Sequence, residues 1–525
     1  MESTDILVIG SGIAGLGFAL KAAEFAKVVL VTKDKILESN TRYAQGGLAA
    51  VFEERDSYKL HIKDTLRAGD GLCNKKAVKF LVGNAPKEIL WLKEMGVKFD
   101  KELSKEAVHS RARIVHSGDI TGERIEEVLV DRVKKNKRIR VLEYNLAISL
   151  LVKNKQCHGA VVLDIKPNKI IRIISKATVL ATGGLGRAYK NTCNPEIATG
   201  DGFALAYNAG ACLEDMEFVQ FHPTGLFGSK PAFLISETLR GEGGHLRNKF
   251  GEIYMPKYHR DGELAPRDVV SKFSVDEMKR TKADHVVLDL THKDPEYLKK
   301  RFPKIYKKCL EYGIDLTKKP IPVAPTAHYS CGGVKIDLEG RTNVDGLYAI
   351  GEVSCSGLHG ADRLASNSLT EGLVFGKSLC NYLKDKIKIN TKNINNLINK
   401  KIIIGKEINK NKINNEKNNK KNELNKLKHM KKQLQNLMWD DVGIIRTEKG
   451  LKRALKKINQ IDKTISKLEG RVSKEVIELR NMADVSRIIT VSALKRKESR
   501  GTHFIEEYPK RDDGYWGRHL TIQKG

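Results

Sequence analysis

The hydrophobic pattern opens with four consecutive apolar residues, Ile6-Leu7-Val8-Ile9. Such a run marks a strand buried on both faces of a parallel sheet. Residues 15–26 then carry apolar positions at helical spacing, and Val28-Val29-Leu30-Val31 makes a second buried strand. Strand, turn, helix and strand in this order form a doubly wound α/β unit. Residues 75–135 read mainly as helices joined by loops. Short apolar stretches at 139–141, 147–152, 159–165 and 170–174 predict a β-rich segment, which leads to another buried strand at 178–182. Residues 222–329 are richer in proline, histidine and charge and repeat no such unit. They are expected to form an inserted α+β capping domain. The sheet pattern resumes at 331 and closes with a strand at 347–350. Long helical periodicity over 429–495, with Leu451, Leu455, Ile458 and Ile461 in phase, predicts a helical bundle. The expected architecture is a Rossmann-like α/β domain built from 1–221 and 330–383 and interrupted by a cap at 222–329. A low-complexity linker at 384–428 and a C-terminal helical domain at 429–525 complete it.

Length agrees with several cores: 525 residues, 40% of them apolar, suffice for two to four domains. No apolar run approaches the roughly 18–20 residues of a membrane helix, so no membrane role is expected. Met1-Glu2-Ser3-Thr4-Asp5 lacks the basic region of a signal peptide. The eight cysteines include no C-x-x-C pair, which speaks against a disulfide framework or a metal site and for a reducing, cytoplasmic location. The net charge of +30 invites a nucleic-acid reading. Much of the excess, however, lies in the Lys/Asn-rich stretch 384–428, and no nucleic-acid-binding motif accompanies it. That stretch reads as a solvated linker, part-helical in the extreme, with an RNA or membrane role as the alternative. A positive field still favours an anionic substrate.

The chemistry begins at Gly10-Ser11-Gly12-Ile13-Ala14-Gly15, between the first strand and the first helix. The first glycine makes the tight turn, the second lets backbone approach a pyrophosphate, and the third lets helix pack on strand. The helix N-terminus then faces the negative charge. The acidic residue expected about 20 positions on is replaced by Lys33-Asp34, and either is a candidate for the ribose. Two further segments, Val179-Leu180-Ala181-Thr182-Gly183-Gly184 and Gly346-Leu347-Tyr348-Ala349-Ile350-Gly351-Glu352, are apolar strands ending in small-residue turns. Glu352 is placed to accept from a ribityl or ribose hydroxyl. In this order the three segments resemble flavoproteins of the two-dinucleotide-binding type, so the cofactor is expected to be FAD.

Seven motifs narrow the family. They are Asn40-Thr41-Arg42-Tyr43-Ala44-Gln45-Gly46-Gly47, Gln220-Phe221-His222-Pro223-Thr224, Leu239-Arg240-Gly241-Glu242-Gly243, Ala265-Pro266-Arg267-Asp268, His328-Tyr329-Ser330-Cys331-Gly332-Gly333, Arg363-Leu364-Ala365-Ser366-Asn367-Ser368-Leu369 and Arg496-Lys497-Glu498-Ser499-Arg500-Gly501. The set resembles the flavoprotein subunits of succinate dehydrogenase and fumarate reductase and their relatives, the L-aspartate oxidases. Two features favour the L-aspartate oxidase branch. Asn40 stands where the respiratory flavoproteins carry the histidine bonded to flavin, which implies non-covalent FAD. Glu106, within Glu106-Ala107-Val108-His109-Ser110-Arg111, resembles the glutamate that receives the substrate's ammonium group; a plain dicarboxylate would be repelled there.

The resemblance also implies roles. Arg363 suits a substrate carboxylate bidentately, His222 and His328 donate to carboxylate oxygens, and Ser236 with Glu237 contacts substrate. Arg267 is the expected proton-transfer group, although a guanidinium ordinarily stays protonated. Residues implied at the cofactor are 10–15, Lys33, residues 40–47, Thr182, Gly183, Asp201, Glu352, Ser368 and Leu369. The implied reaction is oxidation of L-aspartate to iminoaspartate, with O2 or fumarate as acceptor, at the start of NAD biosynthesis through quinolinate. A transient contact with quinolinate synthase is reasonable because iminoaspartate is labile. The alternative is a fumarate reductase or succinate dehydrogenase flavoprotein, for which Asn40 and Glu106 are the wrong residues. Oligomeric state is left open.

Overall fold

The computed structural model describes residues 2–389, 417–468 and 472–524. Ile6-Leu7-Val8-Ile9 ends the strand Glu2–Ile9, which lies inside a seven-stranded sheet, and Ile6, Leu7 and Val8 are wholly buried. This strand pairs in parallel with Val28–Val31 on one side and Lys169–Leu180 on the other. The sheet runs Ile139–Leu142, Val28–Val31, Glu2–Ile9, Lys169–Leu180, Gln156–Asp164, Asn145–Lys153, with Leu347–Ala349 beside the end of Lys169–Leu180. The helix expected at 15–26 is Ile13–Ala22. It starts earlier because Gly12 is its N-cap, and Glu24, Phe25 and Ala26 close as a turn on Lys21 and Ala22.

One sheet expectation needs correction. The stretches 170–174 and 178–182 are not two strands; Lys169–Leu180 is continuous. Its first part pairs antiparallel with Gln156–Asp164 and its last part parallel with Leu347–Ala349. The change of partner leaves the backbone extended because Ser175-Lys176-Ala177 contains neither glycine nor proline, and Glu2–Ile9 runs alongside from Ile173 to Leu180.

A second sheet, in the order Val219–Leu226, Ile321–Ser330, Val286–Asp289, His245–Arg247, is antiparallel. It has its own core, including Leu226, Leu239, Leu246, Val270, Leu288, Phe302 and Val323. This core is separate from the large one under the seven-stranded sheet. The long strands Val219–Leu226 and Ile321–Ser330 carry the chain into and out of this layer. Their pairing, Phe221 against Ala327 and His222 against Thr326, sets the two histidine motifs side by side.

The helices Lys417–Asp441, Glu448–Ser466 and Lys474–Lys495 pack onto the large core. Leu451 and Ile458 are fully buried, whereas Leu455 and Ile461 lie at the half-buried margin. The stretch read as a linker is narrower than 384–428. Helix Asn367–Ile389 runs into it because Leu379, Leu383 and Ile387, spaced i, i+4, are buried. Helix Lys417–Asp441 takes its other end, burying Leu427 and Met430. Residues 390–416 lie outside the described residues. The motif at 496–501 fastens the C-terminal segment: Arg496 bonds Glu217 at 2.6 Å and Glu498 at 2.9 Å, and Arg500 bonds Glu498 at 2.7 Å, all buried.

Candidate active site

A long cleft runs from the Gly10–Gly12 turn, past Asn40 and Thr182, to the base of the second sheet. Its first wall is dictated by glycine. Gly10 has φ +114°, and a Cβ there would fall 2.1 Å from the Ala181 carbonyl oxygen. A Cβ on Gly15 would meet the Gly10 carbonyl at 2.0 Å, so Gly15 packs the helix onto the strand and does not line the cleft. A Cβ on Gly12 would meet no backbone, its nearest neighbour being Thr41 Oγ1 at 3.3 Å. Helix Ile13–Ala22 has no side-chain N-cap and no acidic residue in its first turn. Thr41 Oγ1 accepts from Ile13 N at 3.0 Å, and the remaining positive end faces the cleft. Among the described residues, the buried atoms on its walls that lack partners include Asn40 Oδ1, Gln45 Oε1 and Thr182 Oγ1. Buried polar groups seldom stay unsatisfied. A helix terminus open to an anion, a glycine-lined approach and orphaned acceptors fit a dinucleotide with polar groups along its length.

The residues at the far side of this wall are already engaged. Lys33 Nζ donates to Thr199 Oγ1 and Asp201 Oδ2, each at 2.6 Å, and to Glu478 Oε1 at 2.9 Å. Of the pair Lys33-Asp34, Lys33 lines the cleft while Asp34 faces Lys474. Glu352 accepts from Ser330 N at 3.1 Å and from Asn40 Nδ2 at 3.2 Å. Burial pushes its carboxyl up to about 7. Arg42, although inside the 40–47 motif, turns away and donates to Glu123 at 2.7 Å.

At the other end the cleft is cationic. Arg267 stands at the start of helix Arg267–Thr281, and donates from Nε and Nη2 to Glu237 Oε2 at 2.9 and 2.7 Å. Arg240 Nη2 donates to Glu237 Oε1 at 2.8 Å. Burial would raise the Glu237 carboxyl, but Arg267 and Arg240 hold it below its ordinary range. Burial likewise works against the Arg267 charge, and Glu237 outweighs it, so the guanidinium is held protonated. Gln220 Oε1 accepts from Arg267 Nη1 and from Arg363 Nη2, both at 3.0 Å. Arg363 otherwise donates to Ser368 Oγ at 2.8 Å, lies 4.2 Å over the Tyr329 ring, and leaves Nε without a partner. Its direct partners are therefore neutral. Burial and Arg267 lower its affinity for a proton. Gln220 Nε2 donates to Asp362 Oδ1 at 2.6 Å, which fixes the amide's orientation. Asp362 is in hydrogen-bond contact with Asp268, and burial raises both carboxyls, Asp268 to about 6.

Facing these cations, Glu106 is buried and accepts from Ser366 Oγ at 2.5 Å. Burial, then the Glu237 charge, raises its carboxyl above the usual range. His222 and His328 lie with ring centroids 5.4 Å apart. Burial, then Arg267 for His222 and Arg363 for His328, holds each well below the ordinary imidazole range, so both are neutral. Ser236 caps helix Glu237–Gly241, accepting from Thr238 N and donating to Thr238 Oγ1. The structure thus gathers Glu106, His222, Ser236, Glu237, Arg267, His328 and Arg363 around one cleft end. Of the residues assigned to the cofactor, Gly15 and Arg42 alone are not on its wall. Sequence reasoning passed over Cys193, Asn194 and Tyr329 as lining residues and Gln220 as the bridge. Gln220 and Tyr329 sat inside quoted motifs, but no spacing rule reveals a bridging amide.

A glycine-turn cradle open to an anion, joined to a cationic pocket under a separate cap, defines an FAD-dependent oxidoreductase of the fumarate reductase type. The family model described as FAD binding domain matches residues 5–369, and that described as Fumarate reductase flavoprotein C-term matches residues 431–525. The fold is similar to a chain of E. coli quinol fumarate reductase, with TM-score 0.88 and 30% identity, covering 100% of this chain and 95% of that one. Sequence relatives lie closer: L-aspartate oxidase of Yersinia pestis is 43% identical over 96% of both chains. The chloroplastic L-aspartate oxidase of Arabidopsis thaliana is 41% identical over 96% of this chain and 81% of its own. The chain belongs to the L-aspartate oxidase family, and its cofactor is FAD. Among the described residues no helix is long and apolar enough to cross a membrane.

Proposed function

We infer that the protein is an L-aspartate oxidase, converting L-aspartate to iminoaspartate with O2 or fumarate as electron acceptor, the first step of NAD biosynthesis through quinolinate. The observation that carries this is the charge pattern of the cleft end. Arg363 has no carboxylate among its direct partners, Arg267 stands beside it, and the buried carboxyl of Glu106 faces both. That is a site for two carboxylates and one ammonium group. FAD, when bound, supplies the two-electron acceptor. The chain's own residues supply orientation and proton handling.

Arg363 and Arg267 receive carboxylate oxygens in planar, charge-assisted bonds. The neutral histidines add donors without adding charge. Glu106 accepts from the ammonium group, whose charge favours the ionised carboxylate. Proton transfer runs through Arg267 Nη2 to Glu237 Oε2, and Glu237 Oε1 in turn meets Arg240, which donates to the Glu263 carbonyl at 2.5 Å. Closing the cap excludes water from this network. Asn40 offers no nucleophilic ring nitrogen, which supports non-covalent FAD. The eight unpaired cysteines support a reducing compartment and hence the cytoplasm. Handover to quinolinate synthase is supported by the lability of iminoaspartate.

The fumarate reductase fold keeps one second reading in view, a flavoprotein acting on succinate and fumarate alone. The test is anaerobic bleaching of the purified holoenzyme. L-aspartate is expected to bleach the flavin, and acid to release it intact. Bleaching by succinate alone would overturn the reading.

A further inference from the structure

Each neutral imidazole carries one N–H, so a histidine that donates to a carboxylate needs something to fix which nitrogen holds it. For His222 the fold supplies this: Thr224 N donates to His222 Nδ1 at 3.3 Å, while the Thr224 hydroxyl is spent on the Ile235 carbonyl at 2.7 Å. The proton of His222 therefore sits on Nε2. His328 has no such backbone donor. Its Nδ1 lies 3.1 Å from the sulfur of Cys193, a residue that also lines the cleft.

The direction of that contact follows from counting acceptors. The other acceptor near the thiol is the Ala327 carbonyl, 3.4 Å away. It already takes the Cys193 backbone N–H at 3.2 Å and the Thr192 hydroxyl at 2.9 Å, which fill its two lone pairs. Burial pushes the Cys193 thiol up to about 12, so the proton is present. The flanking chain is held in position: Ala327 N donates to the Asn191 carbonyl at 2.9 Å, and the Asn194 side-chain amide Nδ2 to the His328 carbonyl at 3.1 Å.

We propose that Cys193 is a positioning residue for the reaction: its thiol donates to His328 Nδ1 and locks the tautomer whose Nε2–H is free for a substrate carboxylate. The two histidines then present matching donors, one oriented by a backbone amide and the other by a thiol. This rests on the reading of His328 as a carboxylate donor.

The test uses FAD-loaded Cys193→Ala, Cys193→Ser and His328→Ala enzymes, and the double variant of Cys193→Ala with His328→Ala. Succinate affinity is read from the flavin absorbance change, and L-aspartate KM and kcat from turnover. Cys193→Ala is expected to weaken succinate binding and raise KM about five- to tenfold, the scale of one lost neutral hydrogen bond, with a smaller effect on kcat. Serine keeps a donor and restores affinity to within about twofold. In the His328→Ala background, Cys193→Ala costs nothing further. Unchanged affinity in Cys193→Ala, a serine variant as weak as alanine, or additive losses in the double variant would each overturn the lock. Failure of the wild-type enzyme to oxidise L-aspartate would instead sink the functional reading, because the succinate series reads the tautomer independently.

Discussion

Replacing Glu106 by glutamine separates recognition of the amine from recognition of the carboxylates. Glu106 is buried, accepts from Ser366 Oγ at 2.5 Å, and lies against Gly46, where a Cβ would approach Oε1 to 2.6 Å. Glutamine preserves the volume and an acceptor oxygen for Ser366, so what is lost is charge. A full charge pair about 4 Å apart at an effective dielectric of 20 is worth about 4 kcal/mol. Glutamine's carbonyl recovers part of that, leaving about 2–3 kcal/mol, or roughly 30- to 150-fold in kcat/KM for L-aspartate. Succinate and fumarate should respond in the opposite sense, because a carboxylate facing their own carboxylates has been removed. The pH dependence follows from the raised Glu106 carboxyl. The ammonium group binds the ionised form, so KM for L-aspartate should climb as pH falls through that raised value, and the limb should vanish in the glutamine variant. Initial rates of L-aspartate oxidation and fumarate reduction, measured across pH on FAD-loaded protein, decide the matter. Equal loss of both activities would show that Glu106 serves the loop through Ser366 and has no part in reading the amine.

Arg267→Leu should lower kcat by about 10^2–10^4, the usual span for a lost proton-transfer group, while flavin content holds because Glu237 keeps Arg240; near-full turnover would exclude the role. Gly10→Ala should yield flavin-poor protein destabilised by at least about 2 kcal/mol, since the new Cβ meets a backbone carbonyl at a positive φ; the flavin-to-protein absorbance ratio and Tm report it. Asp268, raised by burial to about 6, favours the folded state while protonated, and that contribution fades as pH rises through about 6. Asp268→Asn should therefore flatten the fall of Tm between about pH 4 and 6; an unchanged slope would mean that the pair with Asp362 does not share a proton.

The local part of this structure was legible because local rules govern it. Ile6-Leu7-Val8-Ile9 followed by three spaced glycines specifies a buried strand, a tight turn and a close helix, and Gly10 and Gly15 meet the backbone obstacles their roles imply. The one continuous strand Lys169–Leu180 was misread as two because its apolar pattern weakens at Ser175-Lys176, where hydrogen-bonded neighbours, not composition, keep it extended. The linker boundary at 384 fell inside helix Asn367–Ile389 for a related reason: lysines and asparagines mask the buried ladder Leu379, Leu383, Ile387. Long-range partners were beyond reach. Lys33 meets Thr199, Asp201 and Glu478, and Cys193 meets His328, across separations that no periodicity encodes. The motif 40–47 shows the converse limit, since membership did not bring Arg42 to the cleft.

The charges at the cleft end explain why so many ionic groups are buried together. Arg240, Arg267 and Arg363 oppose Glu106 and Glu237, leaving one positive charge in excess, and the two histidines are neutral. Asp362, reached through the Gln220 amide, and its contact Asp268 form a separate pair. L-aspartate, with two carboxylates and one ammonium group, carries one negative charge and brings the site to neutrality; succinate, with two, overshoots. Buried charge without compensation is costly, so the proposed balance favours the amino acid. Gln220 places one carbonyl oxygen between Arg267 and Arg363. An amide cannot neutralise two guanidiniums, and that residual field is what a substrate carboxylate fills. A carboxylate at position 220 would fill it instead, which is why the bridge is a glutamine.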